Sequence, residues 1–140
     1  MSLNPYLHFG TNCREAFEFY RSVFGGEFLI FQTMADGPDD MPVPESEKDL
    51  VMHVSLPIGT SILMGSDVPS MFGPPPEMGN NFSISYSPES REQVDELLAK
   101  LSEGGSVEME AQDMFWGDYF GSCRDKFGIG WMLSYNASGQ

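Results

Sequence analysis

The sequence QDMFWGDYFGSCRDKFGIGWMLSY, residues 112–135, decides the fold. Its aromatic residues Phe115, Trp116, Tyr119 and Phe120 belong to types that favour strands. Residues 125–128, Asp-Lys-Phe-Gly, have the composition of a tight turn, because glycine adopts positive φ easily. A strand-forming run then resumes at residues 130–133. We therefore predict two strands joined by a tight turn.

Together with this hairpin, the elements directly before it form the second of two similar halves. Residues 81–86 alternate apolar and polar side chains, which predicts a strand with one polar face. Ser87 and Pro88 are predicted to open a helix, since proline is favoured at the first helical position. Glycines at 104 and 105 are predicted to end it, and residues 106–111 form a further strand. The apolar stripe of this helix consists of Val94, Leu97, Leu98 and Leu101.

The first half has the same order of elements. A strand at residues 3–9 precedes a helix that starts at Thr11 or Asn12 and runs to Phe24, and glycines at 25 and 26 end that helix. Strands are predicted at 27–34, 49–57 and 61–65, with a long exposed loop at 35–48. The buried helix positions are Ala16, Phe17, Tyr20, Val23 and Phe24. The fold class is therefore α+β, with two βαβββ modules at about 3–66 and 81–135.

A Pro/Gly-rich linker at residues 67–80 joins the modules, and residues 1–140 form a single domain. The net charge of −14 repels nucleic acid and leaves two interpretations open: solubility, or attraction of a cationic ligand. The sequence contains no apolar run long enough to span a membrane and no signal peptide at its start, so we expect a cytoplasmic protein. Cys13 and Cys123 are expected to be reduced structural thiols.

The doubled βαβββ module resembles the vicinal oxygen chelate superfamily of glyoxalase, bleomycin-resistance and extradiol dioxygenase proteins. It is most similar to the PhnB-like branch, often described as 3-demethylubiquinone 3-methyltransferase-like. The residues that carry the resemblance are Pro5-Tyr6-Leu7, Asn12, Glu15-Ala16, Phe19-Tyr20, Met52-His53, Leu63-Met64, Ser66-Asp67, Gln112-Asp113, Phe115-Trp116-Gly117, Phe120-Gly121, Asp125, Phe127-Gly128 and Trp131-Met132. They cover nearly the whole chain.

This resemblance implies that the two modules form a cupped mixed sheet around a cavity and that the protein is a homodimer. It also implies, for catalytic members, a divalent metal held by His and Glu. The corresponding positions fall at Pro5 or Tyr6, Met64, Asn81 and Met132 here, none of which is a usual ligand for such an ion. We therefore predict no metal ligands of the usual kind and no cofactor. A metal held by His8 and His53 stays an alternative.

His53 is the candidate catalytic or ligand-binding residue, because it alternates with Met52 and Val54 and is expected to face the cavity. His8 is a second candidate. For both histidines, a purely structural hydrogen-bonding role stays open. The predicted ligand-binding residues are Tyr6, His8, His53, Met64, Asn81, Trp116, Asp118 and Met132.

The leading functional hypothesis is therefore binding of a small molecule in an apolar cavity, and whether a reaction follows stays undecided. One alternative is a lyase, isomerase or transferase assisted by a metal or by His53. A second is sequestration of a cationic antibiotic such as bleomycin, which would suit the acidic chain. The glycine-rich loop and downstream acid of a dinucleotide-type βαβ unit are absent from the sequence, which gives methyl transfer little support.

Overall fold

The order strand, helix, strand, strand, strand occurs twice along the chain. The computed structural model describes residues 1–40 and 42–137. Met41, within the predicted loop, and residues 138–140, at the end of the predicted domain, lie outside the described residues. The chain divides into two units, Met1–Glu77 and Met78–Gln140, and each contains one copy of the order. The first unit has β1 (Tyr6–Phe9), α1 (Cys13–Phe24), β2 (Ile30–Thr33), β3 (Val51–Ile58) and β4 (Ser61–Asp67). The second has β5 (Ile84–Tyr86), α2 (Arg91–Ser102), β6 (Ser106–Asp113), β7 (Tyr119–Arg124) and β8 (Gly130–Tyr135).

Each unit contains one four-stranded mixed sheet. The strand order is β1-β4-β3-β2 in the first and β5-β8-β7-β6 in the second. In each sheet the first pair is parallel, β1 with β4 and β5 with β8, and the other pairs are antiparallel. The predicted α+β class with two βαβββ modules is therefore confirmed. Neither α1 nor α2, the two α-helices of the described chain, is long and apolar enough to cross a membrane.

One face of the first sheet is covered by α1. The helix buries Ala16, Phe17, Tyr20 and Val23, as its apolar spacing predicts, while Phe24 is only half-buried. These side chains meet the sheet residues Leu7, Phe9, Val54 and Leu56, all of which are buried. Phe17 packs edge-on against Phe9 at a ring-centroid distance of 6.4 Å. The opposite face of this sheet lies away from the helix.

In the second sheet, too, a helix covers one face. The helix α2 buries the predicted stripe Val94, Leu97, Leu98 and Leu101 against β7 and β8. Its sheet partners Cys123, Trp131 and Leu133 are buried. The carboxylate of Asp125 accepts hydrogen bonds from the backbone of Phe127 and Ile129 and from the indole of Trp131. The predicted turn at residues 125–128 and the strand after it are therefore confirmed, with a buried carboxylate fixing the turn.

Several predicted boundaries were wrong. The helix α2 begins at Arg91 rather than at Pro88, because the hydroxyl of Ser90 accepts a hydrogen bond from the Gln93 N–H and caps the helix. The strands β1, β2 and β5 are shorter than predicted, whereas β4 and β6 continue to Asp67 and Asp113.

The prediction that the aromatic residues at 115 and 116 lie in a strand was also wrong. Phe115 and Trp116 lie in the turn between β6 and β7, because Gly117 adopts a positive φ of 103° and turns the chain. Residues 112–135 thus contain the end of one strand and two complete strands.

A bulge in β3 breaks the predicted alternation. Gln32 pairs with His53 but Thr33 pairs with Val51, so Met52 is an extra residue on β3. Val51 is consequently fully buried on the helix side, where Met52 had been expected, and Met52 is only half-buried. The bulge leaves the orientation of His53, Val54 and Leu56 as predicted.

We expect Gly65→Ala to lower the free energy of unfolding by about 1–3 kcal/mol. A Cβ at this position would lie 2.6 Å from Cε1 of the buried Phe17 ring and 3.0 Å from the Leu7 carbonyl. Urea titration measures the change. Gly10→Ala is the control, since its Cβ would meet Pro75 at an ordinary 3.5 Å. Equal stability of the two variants would contradict the close approach of α1 to β4.

We expect both thiols of the native protein to resist a thiol reagent at about pH 8 and to react after unfolding. Cys13 and Cys123 are fully buried. Burial is the main cause that raises the pKa of both thiols, that of Cys123 to about 12. A reagent that releases a chromophore on reaction allows the number of reacted thiols to be measured by absorbance. Rapid reaction without denaturant would show that one helix does not cover its sheet as described.

Candidate functional site

The candidate site lies on the face of the first sheet that α1 does not cover. Along β1, Leu7 and Phe9 point to the helix, so Tyr6 and His8 point the other way. Tyr6 pairs with Met64 on β4, and Met64 pairs with Ser55 on β3. His53, two residues from Ser55, shares this face. The structure therefore brings together four of the predicted residues: Tyr6, His8, His53 and Met64.

Tyr6 and His53 are joined by a hydrogen bond across the sheet. The Tyr6 hydroxyl lies 3.1 Å from Nδ1 of His53. Their rings stack at a centroid distance of 5.6 Å and an angle of 22°. The His8 ring lies 5.1 Å from the Tyr6 ring, so the three rings form one cluster. Tyr6 and His8 are exposed and His53 is half-buried, which makes the cluster accessible to a solute.

This hydrogen bond determines what His53 can do chemically. If the Tyr6 hydroxyl donates to Nδ1, then Nε2 carries the proton of the neutral imidazole and can donate to a ligand. If Nδ1–H donates instead, Nε2 can accept a proton and the hydroxyl of Tyr6 can donate elsewhere. In either state the pair offers one donor and one acceptor beyond its internal bond, which suits ligand binding and proton transfer.

Ser55 lies on the same face and was not predicted. It is 3% exposed, and its hydroxyl has no hydrogen-bond partner among the described residues. Leaving a buried hydroxyl unpaired costs about 1–3 kcal/mol. Its alternation with His53 along β3 places it on this face, but the sequence contains no sign of its burial.

A pocket of about 340 Å³ lies beside this face and was also missed. It is lined by Met34, Met52, Ser66, Asp67, Val68, Pro69 and Phe72. Met52 precedes His53, and Ser66 pairs with His8. The pocket is formed by segments far apart in sequence, which explains why the sequence pattern did not reveal it.

The other predicted residues belong to the second unit. Met132 pairs with Ser122 and Ser85, on the face opposite the buried Trp131 and Leu133, and is half-buried. Asn81 is exposed and precedes β5 rather than lying in it. No hydrogen bond between the described side chains joins Asn81 to Met132.

Asp118 is held by three side-chain hydrogen bonds within the second unit. Asn136 and Ser134 donate to its carboxylate at 2.7 and 2.8 Å, and the Trp116 indole donates at 3.2 Å. These bonds, that of Asn136 first, lower the pKa of Asp118. Trp116 is 51% exposed and packs edge-on against the fully exposed Phe115 at 4.9 Å. The result is an ionised carboxylate beside exposed aromatic rings.

The divalent metal site that the resemblance implies for catalytic members does not fit the residues present. Tyr6 and Met64 are register partners on the uncovered face, where they offer a phenol already bonded to His53 and a thioether. Neither is a suitable ligand for a hard or borderline divalent ion. Among residues 1–40 and 42–137, no three His, Cys, Asp or Glu side chains come close enough together to hold a metal ion.

Comparisons with known proteins agree with the fold. The family of 3-demethylubiquinone-9 3-methyltransferase matches residues 1–134. Protein YjdN of Escherichia coli (strain K12) is 30% identical, and the match covers 96% of this chain and 95% of that protein. The crystal structure of protein PA1353 from Pseudomonas aeruginosa is 36% identical with a TM-score of 0.85, covering 97% and 98% of the two chains.

Two more distant structures share the architecture. A putative 3-demethylubiquinone-9 3-methyltransferase, PhnB protein, from Bacillus cereus is 22% identical with a TM-score of 0.74, covering 96% and 99% of the chains. A glyoxalase-related enzyme from Fulvimarina pelagi is 14% identical with a TM-score of 0.64, covering 100% and 96%. At this identity the likeness concerns the fold. The chain therefore has the fold of these proteins and belongs to the 3-demethylubiquinone-9 3-methyltransferase family.

Proposed function

We propose that the uncovered face of the first sheet binds a small organic molecule through Tyr6, His8 and His53. The observation that carries this proposal is the 3.1 Å hydrogen bond between the Tyr6 hydroxyl and His53 Nδ1 on an accessible surface. The bond orients the imidazole and leaves its Nε2 available to a ligand. Met64, beside Tyr6, supplies an apolar contact with an adaptable thioether.

The same pair supports an enzymatic alternative within this proposal. An imidazole oriented by a phenol can take a proton from a bound substrate or return it, as a lyase or isomerase requires. No step of this kind needs a metal ion. The homodimer implied by the resemblance and the cytoplasmic location expected from the sequence remain predictions.

A second candidate function is capture of an organic cation by the second unit. The observation that favours it is the ionised Asp118 beside the half-exposed Trp116. Aromatic faces and a carboxylate together attract organic cations. The net charge of −14 raises the local concentration of such ligands. Bleomycin is a suitable cationic probe.

We expect ligands of the first site to shift the ring signals of His8 and His53 in ¹H–¹³C spectra. The chain contains only these two histidines, so the spectrum reports the site without interference. A fragment library with neutral, anionic and cationic compounds supplies the probes, and His8→Gln assigns the signals. Tyr6→Phe should weaken binding of a compound that shifts His53 by about 3- to 10-fold, because the ring loses its orienting hydrogen bond.

Tyr135→Phe, in the second unit, is the matched control and should leave the affinity unchanged. The proposal is wrong if no compound moves either histidine signal in a saturable way. It is also wrong if Tyr6→Phe and Tyr135→Phe have the same effect.

We expect bleomycin to shift the indole N–H signal of Trp116 and not that of Trp131, which is buried and bonded to Asp125. The two tryptophans thus provide an internal control in one ¹H–¹⁵N spectrum. Asp118→Asn removes the charge and should abolish a saturable shift. Binding that persists in Asp118→Asn, or no shift at all, would eliminate cation capture at this position.

A further inference from the structure

The acidic loop at residues 35–48, which the proposed function does not use, begins directly after Met34, a residue that lines the pocket beside the first sheet. This segment was predicted as a long exposed loop, but it contains the 3₁₀ turn Glu45–Glu47 and begins within another, Met34–Asp36. Met34 itself is 4% exposed and lines the pocket. The start of the loop is therefore fixed beside the pocket.

Hydrogen bonds hold the walls of the pocket in place. The carboxylate of Glu47 accepts from the N–H and the hydroxyl of Ser70, at 3.1 and 2.8 Å. This links the acidic loop to the 3₁₀ turn Ser70–Phe72, whose phenylalanine forms the rim. The Val68 N–H donates to the Phe9 carbonyl at 2.8 Å and fixes the segment after β4. The pocket is thus defined before any ligand enters.

The one charged lining residue is already satisfied. Asp67 accepts from the Cys13 N–H at 2.9 Å and from the Val51 N–H at 2.8 Å, one bond to each carboxylate oxygen. Each oxygen keeps a further lone pair, but the side chain is only 5% exposed and lies with the buried Leu63 and Gly65 on the helix side of β4, so it is a poor counter-ion for a cation in the pocket. A buried carboxyl of this kind also disfavours an anion beside it. The pocket therefore suits an uncharged group.

Apart from Ser66, the rest of the lining is apolar. Met34, Met52, Val68, Pro69 and Phe72 surround the space, and its volume of about 340 Å³ is within the range of small-molecule pockets. Methionine side chains adapt to ligands of different shape. The Phe72 ring, 64% exposed, can close over an apolar group at the rim.

We propose that this pocket binds an uncharged aromatic or branched aliphatic group, the apolar part of a ligand whose polar part reaches His8 and His53. The pocket adjoins the candidate site, because Met52 is the neighbour of His53 and Ser66 is the register partner of His8. Only the polar half of this inference rests on the proposed function. Binding of an apolar group in the pocket needs neither Tyr6 nor His53.

Indole is the probe for the pocket, since it is aromatic, compact and uncharged. In protein labelled with [methyl-¹³C]methionine, the Met34 and Met52 signals should shift saturably, with a dissociation constant of about a millimolar. Met34→Leu and Met52→Leu assign the signals. Met78 and Met109, exposed residues of the second unit, should not move.

Phe72→Ala should weaken indole binding by about 3- to 10-fold, because an aromatic contact is lost. Phe82→Ala is the matched control: Phe82 is 65% exposed and does not line the pocket. The proposal is overturned if Met34 and Met52 show no saturable shift up to the solubility of indole. It is equally overturned if both alanine variants bind indole as the parent does.

Tyr6→Phe separates this proposal from the proposed function. Indole should bind this variant as it binds the parent, and loss of indole binding there would contradict an independent pocket. If indole binds but no compound shifts the His53 signal, the pocket proposal is supported and the proposed function is contradicted. If compounds shift the His53 signal but indole does not bind, the proposed function is supported and the pocket proposal is contradicted.

Discussion

The arrangement of the first unit depends on the buried carboxylate of Asp67. Its two oxygens accept the N–H groups of Cys13, the first residue of α1, and of Val51, the first residue of β3. One side chain at the end of β4 thus fixes where a helix and a neighbouring strand begin. Both donors would otherwise be buried without partners, at a cost of about 1–3 kcal/mol each. Because α1 is held on one face of the sheet, Tyr6, His8 and His53 are left on the other.

The function we infer follows from this division of faces. The helix side is apolar, and its close packing at Gly65 and Phe17 leaves no space for a ligand. The other side combines an oriented imidazole, a phenol and a thioether, above the buried hydroxyl of Ser55, which has no partner in the described part of the chain. The resemblance to metal-dependent proteins implies ligand positions at Pro5 or Tyr6 and at or beside Met64, and these side chains are unsuited to a divalent ion. Hydrogen bonding and proton transfer are therefore the chemistry that these residues can provide, with an apolar pocket at the end of the same sheet.

Periodicity predicted what depends on local pattern. The buried stripes of both helices follow from their spacing, and alternation in β1 correctly placed Tyr6 and His8 opposite Leu7 and Phe9. The local sequence pattern gave wrong predictions where contacts with other parts of the chain determine the backbone conformation. The bulge at Met52 arises from pairing with β2, and the turn at Phe115 and Trp116 depends on the positive φ of Gly117. The pocket and the burial of Ser55 involve several separate segments, so no single stretch of sequence could show them.

The tautomer of His53 tests the proposed site most directly, and long-range ¹H–¹⁵N spectroscopy of the native protein measures it at a pH where the ring is neutral. A tyrosine hydroxyl is a better proton donor than a neutral imidazole N–H, so the Tyr6 hydroxyl should donate to Nδ1. We predict one dominant form of His53 with its proton on Nε2, and a larger fraction of the Nδ1–H form in Tyr6→Phe. A spectrum of His53 that is the same in both proteins would contradict an oriented imidazole, and with it the site proposed on this face.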